Sequence, residues 1–134
     1  MNDKVVVRVP METKPDIQDV YGLTYTKKAL DNAIAHQKRR INFLPIILEE
    51  KYGECIDKEK WFIDVDKATP LALGYVKEIY DDYIVTNIFK EKEKEVRKYI
   101  DDNYKAYIVY LTDNPSLEIT DNIRRILYFG LRKI

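Results

Sequence analysis

For serine, cysteine and histidine chemistry the chain offers one residue of each type: Ser116, Cys55 and His36. Serine chemistry needs a base within hydrogen-bond reach of the hydroxyl. Ser116 follows Pro115 in a turn and His36 falls late in a helical stretch, so a turn serine is the ordinary reading. Pairing Cys55 with His36 gives the thiol version, which requires an exposed sulfur whose thiolate a cation stabilises. Lone cysteines are usually buried and inert, so a divergent hydrolase built on Cys55 or Ser116 stands only as an alternative. Asp57, Glu59, Asp64 and Asp66 form a local acid cluster, and Asp64-Val65-Asp66 opens like a calcium loop. Such a loop needs glycine at its sixth position and glutamate at its twelfth, where this chain has Thr69 and Tyr75. The adjacent pairs Glu49-Glu50 and Asp81-Asp82 diverge in extended chain and make no obvious acid-base dyad. The glycines (Gly22, Gly53, Gly74, Gly130) are dispersed, and none opens a phosphate-cradling loop before a helix. No cofactor, no metal and no catalytic residue is expected from these patterns.

Binding chemistry is better provided for. Eleven tyrosines accompany the single histidine. Trp61 and Phe62 in a long loop, with Tyr104, Tyr107 and Tyr110 on a strand, are the aromatic types that protein interfaces favour, and they are the candidate protein-binding residues. Lys38-Arg39-Arg40 beside those tyrosines suits a single-stranded nucleic acid. The opposing account is stronger, because basic residues at a helix C-terminus complement its dipole and tyrosines fit strands. The chain carries 23 basic and 23 acidic residues, so no global field draws it to nucleic acid or an anionic membrane. A protein partner is therefore expected, self-association is open, and nucleic acid is disfavoured. No apolar run approaches the roughly 18 to 20 residues that span a bilayer, and Met1-Asn2-Asp3-Lys4 does not lead into a signal-peptide core. One cysteine excludes an intramolecular disulfide, which is compatible with the cytosol.

The elements that position these residues centre on Leu73 to Leu111. Leu73 to Tyr80 and Tyr83 to Phe89 are β-branched and aromatic, separated by Asp81-Asp82, which predicts a β-hairpin. Lys90-Glu91-Lys92-Glu93-Lys94-Glu95 then switches to helix formers, predicting a helix over about 90–103 with Val96, Tyr99 and Ile100 on one face and a Glu93-Arg97 pair at i,i+4. Tyr104 to Leu111 returns to strand composition. Upstream, Val5 to Val9 closed by Pro10 reads as an edge strand, and Met11 to Val20 as a loop. Thr26 can cap an amphipathic helix over about 27–39, whose alanine-rich face should lie close against a sheet. Asn42 to Leu48 reads as a short buried strand. The stretch of about 49–70 reads as a long irregular loop with one edge strand at Trp61 to Val65. Leu117 to Ile119 is a short strand, and Ile123 to Leu131 is a strand apolar enough for burial on both faces.

These elements predict a single α+β domain over 1–134, a small mixed or antiparallel β-barrel-like sheet packed with two main helices.

The order of elements resembles the capsid maturation (prohead) proteases of tailed bacteriophages, which share a β-barrel fold with herpesvirus assemblins. Tyr21-Gly22-Leu23-Thr24-Tyr25-Thr26-Lys27-Lys28-Ala29-Leu30 is similar to the family's turn and helix start. Leu44 to Leu48 is similar to the strand that follows, and Leu73-Gly74-Tyr75-Val76 to its Ile-Gly-x-Val strand. The family's catalytic histidine would follow Leu48, where this chain has Glu49-Glu50-Lys51-Tyr52, and its serine would fall near Ala106-Tyr107-Ile108-Val109. Neither carries over. The resemblance thus implies a proteolytically silent relative of phage or prophage origin, in the host cytoplasm or the virion. It would be a capsid-assembly factor or virion component, or else a regulator or inhibitor that binds a host protein or nucleic acid.

Overall fold

A computed structural model describes residues 3–20, 22–36, 44–51, 56–57, 62–63, 71–111, 118–119, 123 and 125–134. In chain order the strands and helices are β1 (Lys4–Pro10), β2 (Thr24–Tyr25), α1 (Lys27–His36), β3 (Pro45–Leu48), β4 (Ile56–Asp57), β5 (Phe62–Ile63), β6 (Gly74–Ile79), β7 (Tyr83–Phe89), α2 (Glu93–Asp101), β8 (Tyr104–Leu111), β9 (Glu118–Ile119) and β10 (Arg125–Lys133). Lys90–Lys92 form a 3-10 turn that leads into α2.

Six strands make one mixed sheet in the order β1-β7-β6-β3-β10-β8. Its pairs are antiparallel except β3 with β10, which run parallel. The alternating burial of β1 explains its place: Val7 and Val9 face the core while Lys4, Val6 and Arg8 face outward. Pro10, which has no N–H to give, sits at the end of this edge strand as expected. The sheet curls without closing into a barrel. Among the described residues its edges, β1 and β8, meet through the parallel bridge of Met11 to Ala106, with the Glu12 N–H donating to the Ala106 carbonyl at 2.7 Å.

Two helices cover the inner face. The Thr26 hydroxyl accepts the Ala29 N–H at 3.1 Å, the expected N-cap, and Ala29, Leu30 and Ala33 are buried where α1 packs on β10. In α2 the Arg97 guanidinium donates to Glu93 at 2.8 Å. Val96 is fully buried, with Tyr99 and Ile100 packed against the same core. That helix touches β1, β7 and β8, so it occupies the gap between the two sheet edges. Asn103 ends the turn after α2 at φ 63°, a left-handed conformation that asparagine tolerates.

β10 is buried on both faces. Ile126, Phe129 and Leu131 join the main core, while Tyr128 packs with Ile47 on the opposite face. Gly130 lies directly beneath the Tyr107 ring, where a Cβ would collide with the phenol carbons.

Some elements differ from the sequence reading. Within the stretch 49–70 the described residues hold a second short strand beside the one expected: β4 and β5 pair antiparallel, Ile56 opposite Ile63. Good β formers flank a short charged connection there. β5 falls inside the strand expected at Trp61 to Val65 but pairs with β4 rather than with the main sheet. β2, unexpected from sequence, runs parallel to β9. The continuation of the first helix to Arg39 lies outside the described residues.

Candidate functional site

The segment expected as a plain loop after β1 is pinned to β10 by a buried ion cluster. Arg132 is next to Leu131, so its side chain points away from the main core, yet it is only 3% exposed. Its Nε donates to Glu12 Oε1 at 2.7 Å, its terminal nitrogen contacts the same oxygen, and Asp19 Oδ2 lies 3.6 Å away. The guanidinium lies over the Tyr107 ring, 3.9 Å from its centroid, a stacking that its planar, weakly hydrated charge favours.

Both carboxylates also hold backbone. Glu12 Oε2 accepts the Val20 N–H at 2.8 Å and Asp19 Oδ1 accepts the Leu23 N–H at 2.9 Å. The Gly22 N–H donates to the Asp19 carbonyl at 3.1 Å, and Gly22 takes φ 84°, a turn conformation that glycine adopts without strain. Beside the cluster, Tyr25 is buried with its ring edge-on to Tyr110, 5.9 Å between centroids. Burial, then the neighbouring Tyr110, pushes its phenol well above the usual range, so it stays neutral.

Above this base lies an open groove of about 330 Å³, lined by Lys14, Ile17, Gln18 and Val20 of the loop, Lys105 of β8 and Ile134. Ile17 is 58% exposed, Val20 54% and Ile134 38%. The described residues hold two other exposed large hydrophobic side chains, Val6 and Tyr80, so exposed apolar surface concentrates here. Ile134 is fixed from both sides, its N–H donating to the Asn103 carbonyl at 3.0 Å and its carbonyl accepting from Asn103 Nδ2 at 3.1 Å. Among the described residues Lys14 and Lys105 have no carboxylate partner. The groove thus presents aliphatic side chains together with two lysines that no described carboxylate pairs. By contrast the inner cavity beside Met11, Thr13, Leu30 and Phe129 is about 20 Å³ and mostly apolar, too small for more than one water.

The candidate aromatics from sequence are dispersed. Tyr104 and Tyr110 share the core-facing side of β8, and Tyr107, an odd number of positions away, lies on the other side. The Tyr104 ring stacks on Tyr99 at 4.8 Å and its hydroxyl donates to Glu50 Oε1 at 3.3 Å. Partial desolvation, then that carboxylate, raises the Tyr104 hydroxyl above the usual phenol range. All three tyrosines act in packing. Phe62 is described in its backbone alone, as part of β5, and Trp61 lies outside the described residues, as do Cys55, Ser116, Lys38, Arg39 and Arg40. His36 ends α1, with its side chain outside the described set.

Of the acid cluster, Asp57 is described in backbone alone, and Glu59, Asp64 and Asp66 lie outside the described residues. Among the described residues no group of three or more histidine, cysteine, aspartate or glutamate side chains can hold a metal ion, and no helix is long and apolar enough to cross a membrane.

Sequence reasoning missed the groove and its base. Two aliphatic residues, Ile17 and Val20, isolated in a polar loop, were the available sign, while Arg132 falls just after the strand expected over Ile123 to Leu131.

No family model, curated protein or solved structure matches the chain.

Proposed function

We propose that the chain is a non-catalytic protein-binding domain that works through the groove between Lys14, Val20, Lys105 and Ile134. The observation carrying this reading is the concentration of exposed aliphatic side chains and unpaired lysines around one concavity. Exposed apolar surface rimmed by polar groups is the usual mark of a protein contact. The clasp beneath it holds the loop in one conformation, and a preorganised surface loses less entropy on binding. The setting we propose is the one that the maturation-protease resemblance implies, capsid assembly or a place in the virion. A regulator of a host protein would use the same groove and differ only in its partner.

The test is site-specific photo-crosslinking from Val20, with Val6 on the far face of β1 as the control position. The expected result is one partner captured from Val20 and none from Val6, a phage structural protein in the assembly setting and a host protein in the regulatory one. Equal capture from both positions, or purified chain that cleaves capsid or scaffold protein and loses that activity on Ser116→Ala or His36→Ala, refutes the proposal.

A further inference from the structure

The geometry points to a specific chemistry for the groove's occupant: a short segment of another protein in which carboxylates flank aliphatic side chains. This inference rests on the groove being the interaction surface and goes further in choosing the ligand class. The choice follows from charge. The acids nearest the floor, Glu12 and Asp19, share the single guanidinium of Arg132 and accept loop amides, so one net negative charge stays buried in the floor against the two lysines of the wall. Lys133, the next cation along β10, is occupied by Asp102 at 3.3 Å. Lys14 and Lys105 stand on the groove's wall, from two elements far apart in sequence, and no described carboxylate forms an ion pair with either.

Between those cations the surface is aliphatic, supplied by Ile17, Val20 and Ile134. A purely anionic ligand would leave that surface wet, and a purely apolar one would cover the lysines without partners, which costs desolvation. A basic segment would be repelled. An acidic and aliphatic segment satisfies both features, its apolar contacts giving affinity and its carboxylates giving register and association rate. A second copy of this chain is the competing occupant, and the test separates it.

Fluorescence anisotropy of the full chain with three short labelled probes decides the matter: one alternating glutamate with leucine, one alternating lysine with leucine, one alternating glutamate with serine. The glutamate–leucine probe should bind about tenfold more tightly than either other probe, and its affinity should fall as salt is raised. The Lys14→Glu, Lys105→Glu double variant should reverse the preference towards the lysine–leucine probe. Ile17→Asp with Val20→Asp should abolish binding of every probe while the circular dichroism spectrum and melting temperature stay those of the parent.

The outcomes are distinguishable. Equal binding of the acidic and basic probes, no binding of the glutamate–leucine probe, or a preference unmoved by the double charge reversal overturns the ligand chemistry and leaves the groove proposal standing. Probe binding that survives Ile17→Asp with Val20→Asp overturns the groove itself. Concentration-dependent dimerisation in sedimentation that excludes the probe assigns the groove to a second copy and overturns this inference.

Discussion

Arg132 shows why the same ion pair is worth different amounts in different places. Its partners Glu12 and Asp19 are, like it, nearly removed from water, with side-chain exposures of 7% and 3%. Truncating one member of such a group strands buried charge, so Arg132→Ala should lower unfolding free energy by about 3 to 5 kcal/mol. Lys133, one residue along the same strand, pairs with Asp102 just after α2 at 3.3 Å, with exposures of 59% and 63%. Lys133→Ala should cost less than about 1 kcal/mol. Urea denaturation of the two variants side by side checks the contrast, and comparable losses would mean that the Arg132 cluster is far more hydrated than its burial indicates. Tyr99 supplies a pH test. Burial, then its hydrogen bond to Glu95, raises its hydroxyl from 10.0 to about 12. The folded protein therefore holds this proton more tightly than the unfolded chain. The resulting stabilisation is fully present below pH 10.0 and is lost as pH rises through about 12. Urea midpoints should fall across that window. Tyr99→Phe should flatten part of the fall, and an unchanged slope would refute the assignment.

Elements with local causes were legible in the sequence. The hairpin β6–β7 follows from two β-rich runs around Asp81-Asp82, and α1 begins where Thr26 can cap it, its hydroxyl 3.1 Å from the Ala29 amide. Thr26→Ala should therefore cost about 1 kcal/mol, read as a shift in denaturation midpoint. A variant as stable as the parent would mean that water or another residue takes over the cap. What stayed hidden depends on partners remote in sequence. Arg132 reads as a basic residue just past the strand expected over Ile123 to Leu131, until Glu12, 120 positions away, is placed against it. β2 has only two residues, and nothing in Thr24-Tyr25 announces a strand before β9 is set beside it. The tyrosines of β8 illustrate a different shortfall. The period of two already put Tyr107 on the face opposite Tyr104 and Tyr110, but which face was covered depended on β10 and the loop after β1. The groove escaped for the same reason, since Lys105 and Val20 meet only after that loop is folded back.

At the scale of the whole molecule the deciding feature is how the curled sheet deals with its two edges. The Lys90 N–H donates to the Asp3 carbonyl and the Met11 N–H to the Asp82 carbonyl. Alternation along β1 then turns the amides of Lys4, Val6 and Arg8 away from β7, towards the open side. An exposed edge of valine-rich strand invites pairing with other chains. Helix α2 fills the gap between β1 and β8, and Val96 is its one buried residue among those described. Val96→Ala should remove about 2 kcal/mol through lost burial and the cavity left behind. The loss should not spread evenly. β3 and β10 are held by neighbours on both sides, whereas β1 and β8 are edges. Loosening α2 should therefore raise hydrogen exchange first in peptides from β1 and β8, with those from β3 and β10 following only the global loss of stability. Exchange that rises uniformly in all four strands would show that α2 contributes to the core as a whole and does not act as the seal of an unclosed sheet. A further expectation follows from the same geometry. Val96→Asp, which puts a charge into that seal, should increase aggregation by light scattering under conditions where Val96→Ala remains monodisperse, because it frees the β1 edge without a helix to cover it.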